Sequence, residues 1–307
     1  MKDVLLEYVM KVSTITPTPA ASLEYLHRVL CIVPPETGVT ENEISLCTKK
    51  SEIEELTPAK CGALLDAGLS SVYILPASSL DLDAVIDAAT EGFYTSLIDP
   101  SFTDLSALDL GSFDGVVGWT TATSADAEDF AKEKNNVAFY DLDANAGKNM
   151  YHAFGKLLSA SSWRNQQYIE MPETSEIEDL GTAETLFSKA VSFVLTSPQY
   201  GKRLGLFASN KRAVVAPYIY EEIRVRLQST ALRYISGNQP NYTISEASLL
   251  EDVLQSVIDE YVAADIIESG NITVSPSAEQ FVLKAEIRVA EPKALWRIKA
   301  DMYQGSV

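Results

Sequence analysis

The amino-acid sequence predicts an α/β chain, α+β overall, in which an inserted and mainly parallel α/β domain accompanies an inner α+β domain ending in a β-hairpin. Three observations predict it. Between about residues 52 and 160, short apolar runs alternate with amphipathic segments of helix length, the pattern of crossover units on a parallel sheet. Residues 245–267 carry Leu250, Val253, Leu254, Val257, Ile258, Tyr261 and Val262 on one helical stripe. In the terminal stretch, Phe281, Leu283, Ala285, Ile287 and Val289 alternate with Val282, Lys284, Glu286 and Arg288, and after Pro292 a second alternation aligns Trp296, Ile298, Ala300 and Met302, which is strand periodicity.

The elements follow in order. Residues 3–22 hold strand-favouring side chains broken by Pro17 and Pro19, so they read as an extended segment running into a periodic stretch, LEYLHRVL, at 23–30. Thr57 and Pro58 form a cap and first-turn pair for a helix through Ala63, Leu64 and Leu65 that Gly68 stops. Strands are expected at 71–77, 93–100, 114–121 and 136–143, and helices at 81–92, 124–135 and 148–160. Leu186, Phe187, Ala190, Phe193 and Val194 predict a helix over 181–197, after which RLGLFAS and RAVVAPYIY read as strands. A helix over 220–235 ends at the breaker SGNQPN, Ser245 is the expected cap of the next helix, and 269–278 is read as a connector to the terminal strand pair.

Composition narrows the function classes. Lys and Arg number 24 against 43 Asp and Glu, and the net charge of -19 repels nucleic acid and anionic membrane surfaces, so neither is an expected partner. No apolar run approaches the roughly 20 residues of a membrane span, and Glu7 and Lys11 interrupt what would be a signal core; the chain reads as made in a cytoplasm. Cys31, Cys47 and Cys61 are odd in number and widely spaced, as expected of reduced core thiols. His27 and Cys31 at helical spacing, joined by the other two cysteines, are the one zinc combination, and no C-x-x-C pair supports it.

Catalytic patterns are incomplete. Gly111, Gly115 and Gly118 lack dinucleotide-fingerprint spacing and precede a strand, and Gly147-Lys148 lacks the upstream Gly and the following Ser or Thr of a P-loop. Asp141, Asp143 and Asn145 have calcium-loop spacing, but Ala146 stands where Gly is required and His152 where Glu is. No G-x-S-x-G elbow exists, and His27 and His152 sit in apolar neighbourhoods suited to structural roles. No catalytic residue, metal or cofactor is assigned. The terminal ribbon remains: two strands are marginal alone and need a cover, for which the 250–262 stripe is available. Its free edge can be met by the chain's own sheet, pairing with the N-terminal segment, or by another chain.

This layout resembles the sheath proteins of contractile phage tails and related contractile injection systems. SLLEDVLQSVIDEYV followed by FVLKAEIRVAEPKALWRIKADMY is similar to that family's helix, connector and Pro-separated strand pair, and LGLFASNKRAVVAPYI is similar in order to a stretch upstream of it. The resemblance implies an N-terminal extended arm and first part of an inner domain at 1–45, an outer α/β insertion at 46–180 and an inner assembly domain at 181–307, the inner domain and its hairpin being made from both chain ends. It implies a structural subunit without an active site, assembled in the host cytoplasm and located in the virion tail. Its partners would be further copies in stacked hexameric rings, the tail tube protein, and baseplate and tail terminator proteins. Strand exchange between subunits would use Leu6 and Tyr8 in the arm and Phe281, Leu283, Ile287, Val289, Trp296, Ile298 and Met302 at the other end. The alternatives are a baseplate or head-tail connector component forming a closed ring, and a small-molecule enzyme with its site at the carboxyl ends of the parallel strands, near Asp99, Thr120 or Asp141.

Overall fold

Five parallel strands and one antiparallel edge strand form the central sheet of the computed structural model, in the order β2-β3-β1-β4-β5-β6. The structure describes residues 23–80, 93–105, 115–133, 135–142, 147–160, 163, 169–172, 177, 179–199, 201–210, 212–238, 242–277 and 282–290. The strands are β1 (Val29–Val33), β2 (Ser45–Cys47), β3 (Val72–Pro76), β4 (Thr95–Ile98), β5 (Val116–Thr121) and β6 (Asn136–Tyr140). Helices α1 (Lys50–Leu56) and α2 (Ala63–Asp66) precede β3, α3 (Ser124–Ala131) joins β5 to β6, and α4 (Lys148–Ser159) follows β6.

Burial on both faces explains the apolar runs. Along β1, Val29, Cys31 and Val33 enter one core and Leu30 and Ile32 the other, and all five are fully buried. The first core packs α2 and α4 through Leu64, Met150, Phe154 and Leu157, and the second packs Ala127 and Phe130 of α3. Gly155 on α4 allows the close approach to α2: a Cβ there would stand 2.5 Å from Ala67 Cβ and 2.9 Å from Leu64 O. Gly155→Ala should therefore lower stability by about 1–3 kcal/mol from overpacking, outweighing the roughly 1 kcal/mol a better helix former returns. Urea denaturation checks this, and an unchanged midpoint would contradict the packing.

The rest of the chain builds outward from this sheet. Helix α5 (Leu180–Ser188) lies over the second core with Ala183 and Leu186, and Asp179 caps it by accepting from the Thr182 N–H at 2.6 Å, which holds the carboxyl below its usual range. Strands β7 (Phe193–Ser197) and β8 (Gly201–Leu206) form an antiparallel pair, and the short β9 (Ala208–Ser209) and β10 (Arg212–Ala213) form another. The β6 edge is covered at Ser192, whose N–H donates to Ala138 O at 2.7 Å and whose carbonyl accepts from Tyr140 N–H at 2.9 Å. Helices α6 (Val215–Asn238) and α7 (Ile244–Ala263) extend the first core, and strands β11 (Gly270–Pro276) and β12 (Leu283–Val289) finish the described chain.

Several sequence expectations are corrected. LEYLHRVL is a 3-10 turn over Leu23–His27 followed by β1, which becomes the central strand of the sheet. His27 and Cys31 therefore do not share a helix face. The helix expected over 181–197 ends at Ser188, because Ala190 adopts a left-handed φ of 57° and the chain turns into β7. RAVVAPYIY is helical from Val215, since Pro217 lies in the first turn, where its missing N–H costs no helix bond. Thr243, and not Ser245, caps α7 by accepting from Glu246 N–H at 3.2 Å. The supposed connector is β11. The expected helix at 81–92 and the strand expected after Pro292 lie outside the described residues.

Candidate assembly interface

Helix α7 is the platform on which the C-terminal ribbon is built. Its buried stripe, Leu250, Leu254, Val257, Ile258 and Tyr261, faces the core, and Ile272 and Val274 of β11 pack onto it. Gly270 sits so close that a Cβ would fall 2.6 Å from Ile258 Cγ2. The stripe expected to cover a strand pair on either side of Pro292 instead packs against a ribbon of β11 and β12.

Strand β12 pairs antiparallel with β11 from Gly270↔Val289 to Pro276↔Leu283. Leu283, Ala285, Ile287 and Val289 are partly buried against the first core, while Lys284, Glu286 and Arg288 are exposed. Glu286 lies 2.8 Å from Lys284 Nζ and 3.8 Å from Arg288, which holds its carboxyl below the usual range. Such exposed pairs contribute little to stability, so this charge pattern is available to a neighbour.

The ladder also fixes which backbone groups point outward. Ser277 N–H donates to Val282 O at 2.8 Å and Ala290 N–H to Ser269 O at 2.8 Å, so the even residues of β12 bond to β11. The odd residues Leu283, Ala285, Ile287 and Val289 turn their N–H and C=O groups to the opposite edge. Among the described residues that edge has no strand partner. The structure thus places Leu283, Ile287 and Val289 together on one strand. Phe281, Trp296, Ile298, Met302, Leu6 and Tyr8 lie outside the described residues.

A polar joint ties this module to the sheet. Glu222 of α6 accepts from Trp163 Nε1 at 2.5 Å and from Tyr261 Oη at 2.7 Å, and burial pushes the Tyr261 phenol well above its usual range. The neighbouring Glu221 accepts from Tyr25 Oη and from Arg224. Trp163 stacks on Tyr218 at 4.8 Å and on His27 at 4.7 Å, and Tyr94 meets Tyr218 edge-on at 5.2 Å. Tyr94 Oη donates to Pro217 O at 2.9 Å, and Thr95 Oγ1 bonds Tyr218 Oη at 2.6 Å. The helix bearing the ribbon is therefore linked to β4 and to the turn before β1 by satisfied, desolvated groups. Sequence reasoning missed this joint, because Glu221 and Glu222 look like ordinary charge in so acidic a chain.

The carboxyl ends of the parallel strands are occupied by internal bonds. Asp99 accepts from Tyr151 Oη at 3.1 Å and from Ser101 N–H at 3.0 Å, Asp141 accepts from Asn149 Nδ2 at 2.9 Å, and Thr120 Oγ1 faces Met150 Sδ at 3.6 Å. Burial raises the Tyr151 phenol, with Asp99 adding to the effect. His27 Nδ1 lies 2.9 Å from Leu158 O, and His152 is half-buried, with burial and then Lys156 lowering its pKa. Cys31, Cys47 and Cys61 are buried free thiols; burial pushes Cys47 up to about 11 and Cys31 well above its usual range, so neither of these two supplies a thiolate near neutral pH. Among the described residues no cluster of His, Cys, Asp and Glu has the geometry of a metal site, and no helix is long and apolar enough to cross a membrane.

No protein-family model and no curated protein sequence matches the chain. Solved structures do. The helical sheath of the anti-feeding prophage in its contracted state matches with a TM-score of 0.64 at 10% identity, over 96% of this chain and 100% of that one. A chain of the anti-feeding prophage baseplate matches with a TM-score of 0.66 at 8% identity, over 97% and 98%. The sheath tail protein of Desulfitobacterium hafniense matches with a TM-score of 0.54 at 8% identity, over 91% and 100%. The chain has a contractile-sheath fold.

Proposed function

We propose that the chain is a structural subunit of a contractile tail or injection apparatus, polymerising as stacked hexameric rings around a tail tube. The observation that carries this reading is the end-to-end likeness to a helical sheath subunit, over 96% of this chain and 100% of that one. The ribbon supports it: β12 offers a row of main-chain groups on a platform rigidly tied to the sheet, and the two terminal segments are strand-like in sequence. In this reading the chain divides into arm and first inner segment (1–45), outer α/β domain (46–180) and inner assembly domain (181–307). Leu6, Tyr8, Phe281, Trp296, Ile298 and Met302 belong to exchanged strands. The partners are further copies, a tube protein, and baseplate and terminator proteins, in the tail of a virion or related particle. No catalytic step is assigned; Asp99, Thr120 and Asp141, towards the carboxyl ends of β4, β5 and β6, contact Tyr151, Met150 and Asn149 of α4.

The likeness to a baseplate chain favours a second reading, a ring component at the end of the same apparatus. Negative-stain microscopy of the purified full chain separates the two. Helical tubes or stacked rings support the sheath subunit, isolated closed rings support the baseplate component, and a monomer at all concentrations overturns both.

A further inference from the structure

The two faces of the central sheet differ in charge. On the side of the first core, α1, a 3-10 turn at Lys60–Gly62, α2 and the start of α4 enclose an open groove of about 560 Å³. Ile53, Pro58 and Ala59 supply its apolar part, and Lys50, Lys60 and Lys148 bring three ammonium groups to it against the carboxylates of Glu54 and Asp66. The stem of Lys50 lies over Gly62, where a Cβ would stand 3.4 Å from Lys50 Cγ, and its Nζ pairs with Asp66 at 2.5 Å. Lys60 and Lys148 form no ion pair with a described residue. Lys156 continues the row along α4, and the His152 imidazole between the two α4 lysines is lowered first by burial and then by Lys156, with Lys148 adding to the effect. The opposite face is acidic. Helix α3 packs Ala127 and Phe130 on the second core and turns Asp126 and Asp129 to solvent. Glu128 is held by Lys189 at 2.9 Å, Asp129 only by the exposed Lys132 at 2.8 Å, and Asp126 by no described cation.

We propose that neighbouring copies meet head to tail through opposite faces of the sheet, the lysine groove of one copy receiving α3 of the next. The inference rests on the polymerising role proposed above and names a pair of patches for it. Copies of a chain with a net charge of -19 repel one another, and a contact between them is favoured where a basic surface meets an acidic one. Helix α3 fits the groove in shape as well as sign, because its solvent side sets only the small Ala125 beside Asp126 and Asp129. Helix α7 also exposes carboxylates, Asp252 and Asp259, but it packs on the first core and so lies on the same side as the groove. Groove and α3 are different patches, so the contact is heterologous: repeated, it closes a ring or continues as a helical array, whereas groove against groove would oppose the lysines and stop at a dimer. Exposed ion pairs are individually weak, and the contact orients incoming copies more than it holds them.

Charge reversal in the full chain, followed by sedimentation, tests this. Lys60→Glu with Lys148→Glu should keep the melting temperature, since neither lysine has a described partner, and should raise the concentration at which half of the protein is assembled by about tenfold or more at about 0.15 M salt. Adding Asp126→Lys and Asp129→Lys should bring assembly back toward the wild-type level. Adding Asp252→Lys and Asp259→Lys on α7 instead restores the same net charge and should not. Wild-type assembly of the lysine variant refutes the groove as a contact. Equal rescue by the α7 pair shows that net charge alone matters, and rescue by neither pair removes α3 as the occupant; either result overturns the proposal. Asp126→Asn with Asp129→Asn, the mildest change at α3, should weaken assembly by a smaller factor, and no change there also removes α3. A chain that never assembles in any form overturns the proposed function itself, which separates that failure from the failure of this contact.

Discussion

Deleting residues 291–307 is expected to leave a soluble subunit with a nearly unchanged melting temperature and to abolish the polymerisation proposed above. The two cores described above draw on residues from Tyr25 to Val274, with Leu283 to Val289 packed at their margin, and the ribbon is closed by Ala290 N–H to Ser269 O. Every described member of both cores is retained in the truncated chain, and the expected change in stability is within about 0.5 kcal/mol. Assembly is a different matter. A strand that forms four to six main-chain bonds, at about 1 kcal/mol net each, accounts for roughly a thousandfold or more in the association constant of each contact. In a ring every subunit loses such a contact at once, so sedimentation and negative stain should find monomers where the full chain gives rings or tubes. A truncated chain that assembles normally would show that 291–307 is not exchanged between subunits.

Much of the sheet was legible in the sequence, for a physical reason. Strands β3, β4, β5 and β6 are short apolar runs between helices of crossover length, and a strand buried on both faces needs nothing else to be recognised. Strand β1 satisfies the same rule, yet Leu23, Leu26 and Leu30 are also spaced as on a helix, and the 3-10 turn that makes Leu26 core hides the change of period. The end of α5 was hidden by accident, because Phe193 and Val194 continue its spacing although Ala190 has already turned the backbone. Strand β11 carries only Ile272 and Val274 as buried apolar residues, set among Ser, Asn, Thr and Pro, and so it reads as a connector. The bonds its outer amides make to α7 were beyond sequence reading altogether: Ile272 N–H donates to Gln255 Oε1 at 2.9 Å and Val274 N–H to Glu251 Oε2 at 2.7 Å. Glu251 and Gln255 look like solvent-facing helix residues until β11 is laid beside them.

The joint at Glu222 carries the second large effect. Glu222→Ala should destabilise the subunit by about 2–5 kcal/mol, because Trp163 and Tyr261 are nearly fully buried and each would be left with an unsatisfied donor at about 1–3 kcal/mol. Glu222→Gln keeps an acceptor oxygen and should recover part of the loss, although one amide oxygen cannot serve two donors as well as a carboxylate does. Urea unfolding gives the size of the effect, and a loss under about 0.5 kcal/mol would mean that both donors find other partners. The location makes the loss more than local. Trp163 reaches the sheet through Tyr218 and the turn before β1 through His27, whereas Tyr261 lies on the helix that carries the ribbon. In the polymer proposed above, force would have to pass between these two parts. The Glu222→Ala chain should therefore unfold in two steps, with the fluorescence change of Trp163, followed in a chain carrying Trp119→Phe and Trp296→Phe, separating from the loss of ribbon amide protection. Coincident transitions would show instead that apolar packing between α6 and α7 couples the two parts without Glu222.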